Sequence, residues 1–412
     1  GSGGVNVPLT GVVLTEQAAD QYTLNLAGVT GFDGTYLLTL TASGSGIMDF
    51  ASNPMIVDAS DSWTRGEASD GVGDLDITDT TGSLLIVGTG STIIDANGID
   101  RVFQVQENVE ASLRSLTLTG GAVTGSSEGG AVYNSGSLLL SDVTVTGNQS
   151  QSSGGGLFNT GGGTLTVDES DVSSNVSADG GGIYNHDNGL VSVWNTTVRN
   201  NTASNDGGGL YNDHDATIEI VNSDVISNTA AGQGGGIYNN DAATLDVSNS
   251  RFSINSAEDG GAIFNELVSV LTISNTTFSA NQATDDGGAI YNDDGTVSST
   301  LSIFSGNAAA DGGGVLFNAS DGNASFVDDT MVLNSAGGRG GSVDNFGILT
   351  ISSGTLGDNT AADGGGIASS RQLTVSGTKF IGNRASSRGG GVFADDVGTV
   401  TIMRSTLSEN VS

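Results

Sequence analysis

A Gly-Gly-x-apolar-aromatic-Asn element recurs along most of this chain, and no other feature restricts the fold as tightly. It reads GGAVYN ending at Asn134, GGGLFN at Asn159, GGGIYN at Asn185, GGGLYN at Asn212, GGGIYN at Asn239, GGAIFN at Asn265 and GGAIYN at Asn292. Weaker copies end at Asn318, Asn345, Ser369 and Ala394, and successive copies lie 24 to 27 residues apart. A second element, apolar-x-x-Asn, keeps the same period. It runs from Val145–Asn148 and Val172–Asn175 through Val225–Asn228, Phe252–Asn255, Phe278–Asn281 and Phe304–Asn307 to Asn334, Asn359, Asn383 and Asn410. Between the two lies an alternating run such as Thr164-Leu165-Thr166-Val167, Leu245-Asp246-Val247 or Leu373-Thr374-Val375.

Three short β-like runs per unit, with no helical period, describe an all-β, three-sided coil of about 26 residues. One such coil cannot bury its apolar side. Stacked coils pair every strand in parallel, about 4.8 Å from the next, and share one continuous core. The expected architecture is therefore a parallel β-helix from residue 76 to Ser412. The glycines permit tight corners, and the recurring asparagines should stack into side-chain amide ladders at the turns. Sequons at Asn195, Asn275 and Asn318 are then a by-product of composition.

Gly287-Gly288-Ala289-Ile290 with Phe278-Ser279-Ala280-Asn281 resembles the GGAI and FxxN repeats of polymorphic outer-membrane proteins. More widely, the chain resembles bacterial secreted right-handed β-helix proteins. Leu84–Gly88, Ile93–Ala96, Arg101–Phe103 and Leu116–Gly121 look like the opening coils of that group. The resemblance implies a right-handed, exported and often adhesive domain.

Residues 1–75 stand outside the repeat. Strand-like runs occur at Gly11–Thr15, Gln21–Leu26 and Thr35–Thr41, and Gly34–Met55 resembles the last strands of bacterial Ig-like domains. This segment is read either as a β-rich cap over the otherwise open strand edges of the first coil or as an Ig-like remnant. The sequence stops within an intact repeat at Asn410-Val411-Ser412, which points to neighbouring modules in a longer chain.

Forty-six acidic residues against 11 basic ones give a net charge of -35. Such a surface repels nucleic acid and anionic membranes, both of which are bound through basic side chains. It favours cations and cationic partners. Hydrophobic residues make up 36% and fall in regular runs, so the chain should fold, unlike a disordered acidic tail. No stretch approaches the roughly 20 apolar residues of a membrane helix. The absence of cysteine fits many bacterial surface proteins and a reducing compartment alike.

Two acidic stripes should flank one face. The first precedes the glycine pair: Glu128, Asp179, Asp206, Asp259, Asp286, Asp311 and Asp363. The second follows the ladder asparagine: Asp187, Asp213, Asp215, Asp241, Glu266, Asp293 and Asp294. Stacked carboxylates repel one another and invite calcium, which takes six to eight oxygens at flexible geometry. Asp179, Asp206, Asp259 and Asp286 are the candidate ligands on the stripe. A denser acidic loop, with Asp70, Asp74, Asp76 and Asp79, is a second candidate, although it lacks the spacing of an EF-hand. Against both stands a plain solvated acidic face.

The only two histidines, His186 and His214, fall on adjacent coils near Asp187, Asp213 and Asp215. Imidazoles with carboxylates suit zinc or a general base, and a solvated turn is the competing reading. Arg371, Lys379, Arg384, Arg388 and Arg404 cluster late in the sequence, as a polysaccharide lyase would require. A hydrolase would need carboxylates converging in a groove, yet these occupy equivalent loop positions and no long insertion breaks the repeat. Ice binding would need a regular outward threonine array. The outward position is instead read as Thr166, Ser192, Glu219, Asp246, Thr272, Ser302, Thr350, Thr374 and Thr401, and its charges spoil the array. The expectation is an extracellular structural or adhesive solenoid, stabilised by calcium, with glycans or other surface proteins as partners. A carbohydrate-active β-helix or glycan-binding module is the alternative.

Overall fold

The computed structural model describes residues 75–412, apart from 79, 81–82 and 396–397, and the backbone of four strands before them. Those four form two antiparallel pairs, Leu14–Ala18 with Gln21–Leu24 and Gly34–Leu40 with Ala59–Arg65. The cap-or-remnant reading otherwise falls outside the described residues, as do Asp70, Asp74 and Asp79.

From Leu75 onward the chain is a parallel β-solenoid of about 12 coils bounded by three sheets. The first sheet carries the strand that ends each Gly-Gly element, such as Ile183–Asn185 and Leu210–Asn212. The second carries a five-residue strand and, after a corner, a three-residue strand, as in Thr164–Asp168 and Asp171–Ser173. In the early coils one strand spans both, as in Ser137–Thr146. The third sheet holds short strands such as Thr202–Ala203. Beyond the early coils, each coil thus has four strands where the pattern suggested three. The extra break falls where one residue turns left-handed, for example Asn195 at φ 48°, Asn222 at 51° and Asn249 at 52°. Asparagine tolerates that region better than most side chains.

Register is in phase, like upon like. Ile183, Leu210, Ile237, Ile263 and Ile290 stack as one fully buried column. Phe252, Phe278 and Phe304 stack inside the core, with ring centroids 4.8 and 4.9 Å apart. Both asparagine ladders form as expected. In one, Nδ2 of Asn201 donates to Oδ1 of Asn228 (3.1 Å), and Nδ2 of Asn228 donates to Oδ1 of Asn255 (3.1 Å). In the other, Asn185 donates to Asn212 (2.9 Å) and Asn212 to Asn239 (2.9 Å). These residues are at most 1% exposed, so each amide replaces water with a fixed set of partners.

A third ladder went unread in the sequence. Ser170, Thr196, Ser223, Ser250, Thr276 and Ser302 stack at the bend of the second sheet, each hydroxyl accepting the backbone N–H of the equivalent residue one coil earlier. Ser302 therefore lies buried in this ladder and not on the outward face. The outward column runs Thr272, Ser298, Ser325 and Thr350 there. Asp329 takes the next ladder position. It accepts the N–H of Ser302 at 2.7 Å, and its Oδ2 is buried without a partner.

Candidate functional site: a file of rings between carboxylate walls

The aromatic residue of each Gly-Gly element points away from the core, because its neighbours in the strand point inward. In-phase stacking turns these residues into a file: Tyr133, Phe158, Tyr184, Tyr211, Tyr238, Phe264, Tyr291 and Phe317. Successive centroids lie 4.6 to 5.4 Å apart. Ring faces are taken up by other rings, and Phe158 to Phe264 are 3–9% exposed. The file therefore offers edges, not open faces on which a sugar could stack. At the next coil Asp344 replaces the ring and pairs with Arg339 at 3.1 Å, while the guanidinium lies over Phe346. Burial pushes the Asp344 carboxyl up to about 6 despite that arginine.

The first acidic stripe forms one wall. Asp179 accepts the N–H of Asp206 (3.3 Å), Asp206 that of Gln233 (2.7 Å), Asp259 that of Asp286 (3.0 Å) and Asp286 that of Gly312 (2.6 Å). One oxygen of each carboxylate thus serves the backbone of the following coil. Partial burial raises the pKa of all four, and neighbouring carboxylates add to the rise. Asp286, beside Asp285, Asp311 and Asp259, is pushed up to about 7. Ligand oxygens of Asp259, Asp285 and Asp286 lie within 4.8 Å of one another. Asp311 does not share the column, because Gly312 occupies that position and bridges to Arg339. Asp76, the described member of the loop candidate, accepts a long hydrogen bond from Gln106 (3.5 Å).

The second wall follows the ladder asparagine, and here the sequence inverts. His186-Asp187, Asp213-His214 and Asn240-Asp241 occupy the same two positions on successive coils. Asp213 therefore stacks on His186, and His214 on Asp187. Nδ1 of His214 lies 2.7 Å from Oδ2 of Asp213, and Nε2 of His186 lies 3.8 Å from the same oxygen. The Tyr184 hydroxyl donates to that oxygen at 3.1 Å, and Asn240 donates to Oδ1 at 3.2 Å. Asp213 is 4% exposed. The hydrogen bond that His214 donates to Asp213 raises the pKa of His214. The centroids of the two imidazoles are 4.6 Å apart.

The late basic residues do not converge. Arg388 pairs with Asp363 in the first wall and Arg371 with Asp321; Arg384 lies at the other end of the strand that ends at Arg388, and Lys379 and Arg404 belong to other parts of the coil. A shallow cleft of 380 Å³ beside Glu107, Glu110, Ser135 and Thr164 includes neither histidine.

The Chlamydia polymorphic membrane protein repeat matches residues 195–213 and 275–293. Each match spans an apolar-x-x-Asn ladder turn and the Gly-Gly element after it. No curated protein and no solved structure matches the chain. With the solenoid geometry, the repeat match makes the chain similar, over those two stretches, to β-helix repeat proteins of the polymorphic-membrane-protein type.

Proposed function

We propose that this chain is a rigid extracellular solenoid of the bacterial surface, acting as a stalk, adhesin or matrix component, and that calcium on its first acidic wall stiffens it. One observation carries the reading: among the described residues the coils stay near 26 residues, and both asparagine ladders run on without an insertion. Active sites are usually built by breaking such regularity, because converging groups need loops of unequal length. A uniform stack instead offers length and a repeating outer surface. Eleven coil steps at about 4.8 Å make a rod of about 50 Å. The match to a membrane-protein repeat agrees with a place at the cell surface. Burial first and neighbouring carboxylates second raise Asp259 and Asp286, and a calcium ion would relieve the repulsive part.

Two experiments test the parts separately. Glycan arrays and surface-protein panels should show binding, while a broad polysaccharide panel should show no release of unsaturated or reducing ends. Release would replace the scaffold reading with an enzyme. Thermal melts should fall in EDTA and recover with calcium. A melt unchanged by EDTA would remove calcium and leave the scaffold standing.

A further inference from the structure

We infer that His186, Asp213 and His214 form a binding site for one divalent transition ion of the zinc class, separate from the oxygen-only acidic wall. Nε2 of His186 and Nδ1 of His214 both approach Oδ2 of Asp213, at 3.8 and 2.7 Å. The three residues present ligand atoms within 4.8 Å of one another. Three donors bonded to zinc at about 2.0–2.2 Å would sit about 3.4 Å apart, so small side-chain rotations close the set. The arrangement comes from the inverted dipeptides. Had the second coil repeated His-Asp, imidazole would stack on imidazole and carboxylate on carboxylate.

The surroundings match what metal-bound histidines require. A ligating imidazole normally gives its other nitrogen to a carboxylate, which fixes the ring and raises its basicity. Here Nδ1 of His186 lies 3.1 Å from Asp187, and Nε2 of His214 lies 3.4 Å from Asp241. The carboxylate ligand is itself fixed by Tyr184 and Asn240. Two nitrogens and one oxygen select zinc, cobalt or nickel over calcium, which demands more oxygens. The side chain of His214 is 52% exposed, so a fourth coordination position opens to solvent, for water or for a donor from a partner.

The test uses the full untagged chain after EDTA treatment and desalting. Cobalt titration should give one equivalent of visible absorption of a low-coordinate ion, and zinc should abolish it. The band should vanish in His186→Gln and His214→Gln. It should survive in Asp259→Asn, and Asp241→Asn should weaken binding about 10- to 100-fold. The chain has two histidines, so the wild-type imidazole NMR signals provide a readout that needs no variant, and both should shift at one zinc equivalent. Unmoved imidazole signals, or a cobalt band that persists in the double histidine variant, would overturn the assignment. Loss of the band in Asp259→Asn alone would place the ion on the acidic wall and overturn it equally.

Discussion

Asn228→Ala removes one rung from the middle of a ladder. The Asn228 side chain accepts the backbone N–H and Nδ2 of Asn201 at 3.0 and 3.1 Å, and donates to the Val198 carbonyl at 3.0 Å and to Oδ1 of Asn255 at 3.1 Å. Alanine leaves all four groups short of a bond. Two are partly compensated: Nδ2 of Asn201 keeps the Val172 carbonyl, and Oδ1 of Asn255 keeps the N–H of residue 228. At about 1–3 kcal/mol for each buried group left unpaired, the loss comes to about 3–5 kcal/mol. Asn195→Ala is the comparison. That asparagine is exposed at a corner and makes one side-chain bond, to Asp168 at 2.9 Å. Its replacement should cost about 1 kcal/mol or less, mainly from the left-handed backbone. Urea unfolding followed by circular dichroism gives the two shifts. Amide exchange then locates them, since a solenoid loses stability at nearest-neighbour interfaces. Exchange should accelerate around Asn201 and Asn255 in the first variant. Equal midpoint shifts for the two substitutions would refute the claim that buried amide stacking, and not asparagine content, holds the coils together.

Three further outcomes follow from the same geometry. Burial pushes the Asp329 carboxyl up to about 6 from a usual value of 3.8, so the folded state binds the extra proton. The contribution of this carboxyl to stability is then fully present at low pH and falls as pH rises between those values, by about 3 kcal/mol. Asp329→Asn keeps the Oδ1 acceptor, so it should raise the melting temperature at pH 8 and have little effect near pH 4. Gly207→Ala should cost well over the about 1 kcal/mol of Gly306→Ala. Both residues have φ +65°, but an added Cβ meets the Leu210 carbonyl oxygen at 2.5 Å in the first case and nothing within 4 Å in the second. Phe278→Ala should cost about 3–5 kcal/mol in a urea melt, because the ring is fully buried between Phe252 and Phe304.

The solenoid was legible because its period fixes register, and register fixes which side chains stack. What the sequence concealed depends on single-residue shifts and on side-chain direction. Coil lengths vary by a residue or two, which moved Asp311 off its column, while Ser302 lies four residues beyond Ser298, the outward position of its coil. That ladder itself hid among abundant serines and threonines. The acidic stripe was visible, but not that one oxygen of each carboxylate would turn back onto the next coil's N–H. The His-Asp and Asp-His inversion stood in the sequence, yet only the register through Asn159, Asn185 and Asn212 shows that it joins unlike groups.

The file of rings also has an optical consequence. Phenol and phenyl groups held 4.6 to 5.4 Å apart, each turned by 10 to 42° from the last, form a chiral array of coupled chromophores. Their near-ultraviolet circular dichroism should be intense for so few tyrosines. It should collapse together with the strand pairing when neighbouring coils separate, because each strand is paired to the next coil. The protein thus carries an intrinsic gauge of coil-to-coil spacing along one edge, readable without a label.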